Sequence, residues 1–177
     1  ACVVGPDRKL VTVIDHEVPL PATDSSLEVR HVGLWADNHI AAPLVRMSCD
    51  LESFAVEVDD AVEMYQLEPR GNRVPFGFEL DFETDRGGYL WPPVTARYEI
   101  PCRVTGKLMV ADEVIEFDGW GQRDHSWGSP RDWWTNHWCW TAGRLSDGTR
   151  FHAAGAFFDE SDWGVGYVLE PTAGEFA

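Results

Sequence analysis

Apolar and polar residues alternate with a period of two along much of the chain. The clearest run is PFGFELDFETD. Phe76, Phe78, Leu80 and Phe82 fall on one side of it, and Gly77, Glu79, Asp81 and Glu83 on the other. That pattern predicts a strand with one buried face. ARYEIPCRV repeats it, with Tyr98, Ile100, Cys102 and Val104 on one side, while LEVRHVGLW and ESFAVEVDD alternate less cleanly. GKLMVADEVIEFDG reads as a hairpin turning near Ala111 to Glu113. HWCWTAGRLSDGTRFHAAGAFF reads as a second, because Asp147-Gly148 supplies the residues a tight connection needs. WGVGYVLE closes the series. Helical periodicity is thin: SLEVRHVGLWADNHIAAPLVRM has room for a short turn, and Pro43 stops anything longer.

Short strands separated by Gly and Pro predict an all-β fold, an antiparallel barrel or sandwich, in one domain spanning residues 1–177. Barrels of this kind often enclose a ligand. An aromatic share of 12%, weighted to Trp and Phe, suits the wall of an apolar pocket. A net charge of -16 argues against nucleic acid and against an anionic membrane surface. With no apolar run long enough to span a bilayer, no membrane insertion is expected. Cys2, Cys49, Cys102 and Cys139 form no C-x-x-C pair, so neither a zinc ribbon nor a thioredoxin-type site is expected; they are scattered and the default setting is cytoplasmic, so no disulfide is expected either. Both ends are abrupt, as in a piece of a longer protein.

The chemistry concentrates in GWGQRDHSWGSPRDWWTNHWCW, Gly119 to Trp140, which holds six of the nine tryptophans. Gly119 and Gly121 are expected to break the strand there and to let the backbone approach a neighbour closely. Ser129-Pro130 favours a turn. Trp138 and Trp140 alternate with His137 and Cys139. One reading of the cluster is a polar plug, with Arg123 or Arg131 paired to Asp124 or Asp132 and the tryptophans covering one end of the barrel. The other is acid catalysis in an aromatic cage. A carboxyl group in apolar surroundings keeps its proton more readily, and Trp faces attract a cation. Such a pairing suits protonation of a carbon–carbon double bond. Asp124 is the best acid candidate, with His125 to orient it or to position a water. His16, His31, His39 and His152 have no partner at a metal-ligand spacing, so no metal is expected. Cys139 reads as a packed thiol.

The residues Gly119, Gly121, Arg123, Asp124, His125, Ser126, Trp127, Gly128, Arg131 and Trp133 match a G-x-G-x-R-D-H-S-W-G-x-R-x-W type signature, with Ser129-Pro130 adding one residue inside it. YEIPCRVTGKLMV before it and W…SDGTRFH after it also fit. Over Tyr98 to Phe158 the sequence resembles the carotenoid 1,2-hydratase (hydroxyneurosporene synthase) and AttH-like superfamily. The resemblance implies a lipocalin-like fold, usually two such domains in a chain about twice this length. It also implies activities that include water addition to an isoprenoid double bond and cyclisation of polyenes.

The expectation is therefore an enzyme, needing no cofactor, that acts on an apolar isoprenoid or polyene. Asp124 would be the acid, His125 its partner and Arg123 the electrostatic support. Trp120, Trp127, Arg131, Trp133, Trp138 and Trp140 would contact the ligand. The alternative is a non-catalytic module that binds lipids or other small apolar molecules. A third reading is an interaction domain within a larger assembly. The partners expected beside a small apolar molecule are a second lipocalin-like domain or a further copy of the chain.

Overall fold

The computed structural model describes residues 1–5, 9–20, 27–58, 60–62, 70–92, 96–128, 137–157 and 162–172. Among these the chain forms strands β1 (Cys2–Val4), β2 (Leu10–Thr12), β3 (Val29–His31), β4 (Leu34–Ala42), β5 (Arg46–Val58), β6 (Gly71–Thr84), β7 (Tyr89–Leu90), β8 (Ala96–Val110), β9 (Glu113–Trp127), β10 (His137–Arg144), β11 (Arg150–Phe157) and β12 (Asp162–Leu169). The fold is all-β and antiparallel, the class expected for a lipocalin-like barrel or sandwich. One nine-stranded sheet runs β1-β2-β5-β6-β8-β7, with β4 also on β5, β3 on β4 and β9 on β8; a three-stranded sheet runs β10-β11-β12. No helix among the described residues is long and apolar enough to cross a membrane.

The chain packs as two compact units, and β4, β5, β6, β8 and β9 contribute residues to both. The first unit comprises 1–41, 47–81 and 105–118. Its core is Val11, Leu51, Ala55 and Phe76, with Val74, Phe78 and Val110 packed against it. The Phe76 ring is fully buried and meets Phe78 edge-on, with centroids 6.1 Å apart. Further along the same strand the burial lessens: Leu80 and Phe82 are half-buried while Glu79 and Glu83 are exposed. The β8–β9 hairpin turns at Ala111–Asp112, where predicted, with Ala111 at φ 53°.

The second unit comprises 42–46, 82–104 and 119–177. The Asp147-Gly148 hairpin is present: Gly148 adopts φ 94°, Leu145 donates its N–H to Thr149 O, and Asp147 Oδ1 accepts from the Thr149 amide. Register then follows, with Arg144 opposite Arg150 and Trp140 opposite Ala154 on β11, and His152 opposite Tyr167 on β12. The segment around Pro43 is a short turn between two strands. One local expectation changes. Gly119 and Gly121 do not break β9, which runs unbroken from Glu113 to Trp127. The close approach is real, however: a Cβ at Gly121 would sit 2.8 Å from Cγ2 of the buried Val104.

Candidate functional site: a tryptophan-walled cavity over a buried carboxylate

In the second unit β8 and β9 run side by side, and the period of two sorts their side chains onto two faces. Arg97, Glu99 and Arg103 share one face with Trp120, Gln122 and Asp124; this follows from the contacts Arg97–Asp124, Gln122–Glu99 and Arg103–Trp120. Tyr98 shares the opposite face with His125 and Trp127: the His125 ring stacks on both at 5.6 Å, and Trp127 is tilted against Tyr98 at 6.0 Å.

The first face borders a cavity of about 800 Å³. Its walls are Trp91, Trp138, Trp140 and Trp163, and the strip Ala154-Gly155-Ala156 lines it where the backbone of β11 passes. The small side chains leave room that larger ones would fill. Arg97, Asp124 and Ser126 supply a polar end.

Beneath that end lies Glu99, fully buried. Its Oε1 accepts from Arg97 Nε at 2.8 Å and Trp140 Nε1 at 3.0 Å, and its Oε2 accepts from Gln122 Nε2 at 3.2 Å. Gln122 Oε1 in turn accepts from the Tyr167 hydroxyl at 3.0 Å, whose pKa burial pushes up to about 12. A buried carboxylate requires this kind of enclosure by donors, because an unpaired one would lose several kcal/mol of hydration. His152 completes the floor, enclosed by the rings of Trp140, Tyr167 and Trp91 at 5.5, 5.7 and 5.9 Å. Burial pushes its pKa down, so the ring is held neutral. Nδ1 lies 3.2 Å from Thr141 O and donates to it. Nε2 is then a bare acceptor, buried without a hydrogen-bond partner and 3.7 Å from Glu99 Oε1.

Arg97 joins the floor to the mouth. Its Nε serves Glu99, its Nη2 lies 2.5 Å from Asp124 Oδ2, and its guanidinium stacks 4.8 Å over Trp91. Asp124 therefore faces the cavity and is ion-paired at once. Its side chain is 45% exposed, so the apolar enclosure expected around it is instead found around Glu99.

The residues singled out from sequence are thus divided. Asp124, Trp138 and Trp140 border the cavity. Trp120 borders a smaller recess nearby. His125 and Trp127 lie on the opposite face of β9, so His125 does not meet the Asp124 carboxyl. Arg123 also points away: its Nη2 donates to Leu44 O at 3.2 Å and Thr84 Oγ1 at 3.1 Å, tying β9 to the 42–46 turn. Its partner is not Asp124, whose arginine is Arg97. Arg131 and Trp133, like Asp132 and the Ser129-Pro130 turn, lie outside the described residues. Cys139, expected to be packed, is exposed and borders the cavity, and none of the four cysteines is in a disulfide. Among the described residues no group of three His, Cys, Asp or Glu is placed to hold a metal ion.

Sequence reasoning missed Trp91, Arg97, Glu99, His152 and Trp163. One signal was present. Arg97, Glu99 and Arg103 occupy the face of ARYEIPCRV opposite Tyr98, Ile100, Cys102 and Val104, and that face was read as solvent. Period two identifies a pair of faces, but not that both are covered.

A family model described as "Domain of unknown function (DUF7064)" matches residues 1–176, and the chain belongs to that family. No curated protein and no solved structure matches it.

Proposed function

We propose that this DUF7064 chain binds a small, predominantly apolar molecule in the tryptophan-walled cavity. The observation that carries the reading is the convergence of four indoles from three separate parts of the chain, Trp91, Trp138 with Trp140, and Trp163, on one space of about 800 Å³. That lies within the roughly 300–1,000 Å³ of small-molecule sites, which are mostly apolar with a few placed polar groups. Arg97, Asp124 and Ser126 are those groups here, and they suit a ligand with one hydrogen-bonding end. The net charge of -16 disfavours an anion in the cavity through its long-range field. An isoprenoid or polyene fits these requirements. Four cysteines outside any disulfide accord with a cytoplasmic setting.

One observation favours a second reading, a hydratase or cyclase acting on the same ligand: the Asp124 carboxylate borders the cavity among the indoles. A paired carboxylate beside electron-rich rings stabilises a cationic intermediate.

Titration with geranylgeraniol, palmitate and ATP, followed by tryptophan fluorescence, tests the binding reading. The isoprenoid should quench saturably and bind most tightly, and Trp163→Ala should weaken it. Tighter binding of ATP, or no saturable quenching, would sink the proposal. Asp124→Asn separates the two readings: it should leave affinity nearly unchanged, and it abolishes turnover only if the chain is an enzyme.

A further inference from the structure

The second unit holds another concavity of about 290 Å³, which shares Trp140 with the cavity but is otherwise bounded by different residues. Two arginines, Arg144 and Arg150, line it, and among the described residues no carboxylate does. This is a sharp local reversal in a chain with 30 acidic and 14 basic side chains. Trp120 forms part of its wall, and three guanidinium groups converge on that indole: Arg150 at 3.7 Å from the ring centroid, and Arg103 and Arg144 each at 4.7 Å. Each contact is attractive by itself, because the ring face is electron-rich. Of the three, Arg144 and Arg150 line the recess itself, and two like charges at close range favour an anion between them.

Asp85 meets part of the Arg150 charge, and Arg144 acts on the carboxyl of Asp147 only through the longer-range field that helps to lower its pKa. Arg150 is almost wholly buried, and it donates both Nε, at 2.8 Å, and Nη2 to the same oxygen, Asp85 Oδ2. Its Nη1 has no acceptor among the described residues. Arg144, exposed on the last position of β10, makes no ion pair among them. The remaining walls are apolar, from Pro101, Trp140 and Ala142.

We propose that this recess binds the carboxylate of a small molecule with a flat apolar body. The carboxylate lies between Arg144 and Nη1 of Arg150, and the body rests against Trp140 and Ala142. A guanidinium fork matches a planar carboxylate, and such charge-assisted bonds are among the strongest available to a protein. The chain's negative field does not forbid it. That field is screened over about 8 Å at physiological salt, whereas the two arginines act at contact distance. The site is read from its own residues and does not depend on what occupies the larger cavity.

The test is a ¹⁵N–¹H spectrum of the whole chain, with the Trp120 indole signal assigned through Trp120→Phe. Sodium benzoate is titrated against benzyl alcohol, its neutral counterpart, and against inorganic phosphate. Benzoate should shift the Trp120 signal saturably, with a dissociation constant of about 1 mM or tighter. Benzyl alcohol should leave that signal in place, and phosphate should bind more weakly. Arg144→Gln should weaken benzoate by about tenfold, the effect of one lost charge-assisted bond. If Arg144→Gln lowers the melting temperature, Arg144→Lys, which keeps the charge and loses the fork, should still weaken benzoate. Four results would overturn the proposal: benzoate affinity indifferent to both variants, an equal shift from benzyl alcohol, phosphate binding as tightly as benzoate, or shifts at Trp138 and Trp163 without one at Trp120.

Discussion

Replacing Asp124 by Asn and Glu99 by Gln, separately and together, distinguishes the two carboxylates that Arg97 bridges. Each change removes one negative charge and keeps the side chain's shape. At Asp124 the loss is small. Its side chain is 45% exposed, Arg97 keeps its 2.8 Å bond to Glu99, and Asn still offers an oxygen to Nη2. Exposed pairs of this kind contribute about 0.2–1 kcal/mol, so Asp124→Asn should cost no more than about 1 kcal/mol. At Glu99 the loss is large. The carboxylate has no exposure and receives three donors, from Arg97, Trp140 and Gln122. An amide offers one accepting oxygen in place of two and turns an N–H₂ toward existing donors. Breaking a buried pair costs about 3–5 kcal/mol, and the lower end applies because Arg97 retains Asp124. The double variant leaves Arg97 without any carboxylate, so it should cost more than the two single losses combined. Urea unfolding followed by tryptophan fluorescence measures all three. If Asp124→Asn proves as damaging as Glu99→Gln, or if the two losses simply add, then Arg97 does not bridge them and the division into a structural floor and a ligand-facing mouth is wrong.

Phe76→Ala should destabilise by about 3–5 kcal/mol, because its ring is fully buried between Val11, Leu51 and Ala55, and Phe78→Ala should cost less; equal losses in denaturant melts would contradict the burial described. Gly121→Ala should cost about 1–3 kcal/mol by overpacking, since the new methyl meets Val104 Cγ2 at 2.8 Å, and Val104→Ala in the same chain should recover part of it; a neutral single substitution would show that β9 is free to move. Burial lowers the pKa of His152, so the unfolded chain binds its proton first as pH falls. The stability this contributes is therefore complete above about pH 6.5 and is lost as pH falls through the folded pKa. Comparing melts at pH 7.5 and 5.5 should show a fall that His152→Phe reduces, and an unchanged fall in that variant would remove His152 from the account.

Strand positions were legible in the sequence because a strand's side-chain period is a local property. PFGFELDFETD, the turn at Ala111 and the Asp147-Gly148 hairpin all depend on residues within a few positions of one another, and all stand where the pattern put them. The same period also fixed that Asp124 and His125 occupy opposite faces of β9, a consequence that the attraction of the tryptophan-rich segment obscured. Which faces are covered is not a local property. Glu99 looks like the solvent-facing member of an alternating pair until Trp140 and His152, some forty and fifty positions later, pack over it. Arg97 meets Glu99 two positions along its own strand, but only the pairing of β8 with β9 brings Asp124 to its other end. Burial and ion pairing depend on long-range contacts, whose partners no period along the chain encodes. Sequence therefore determined the strands and where the aromatic chemistry concentrates, whereas tertiary packing decided which carboxylate is enclosed and which one meets the cavity.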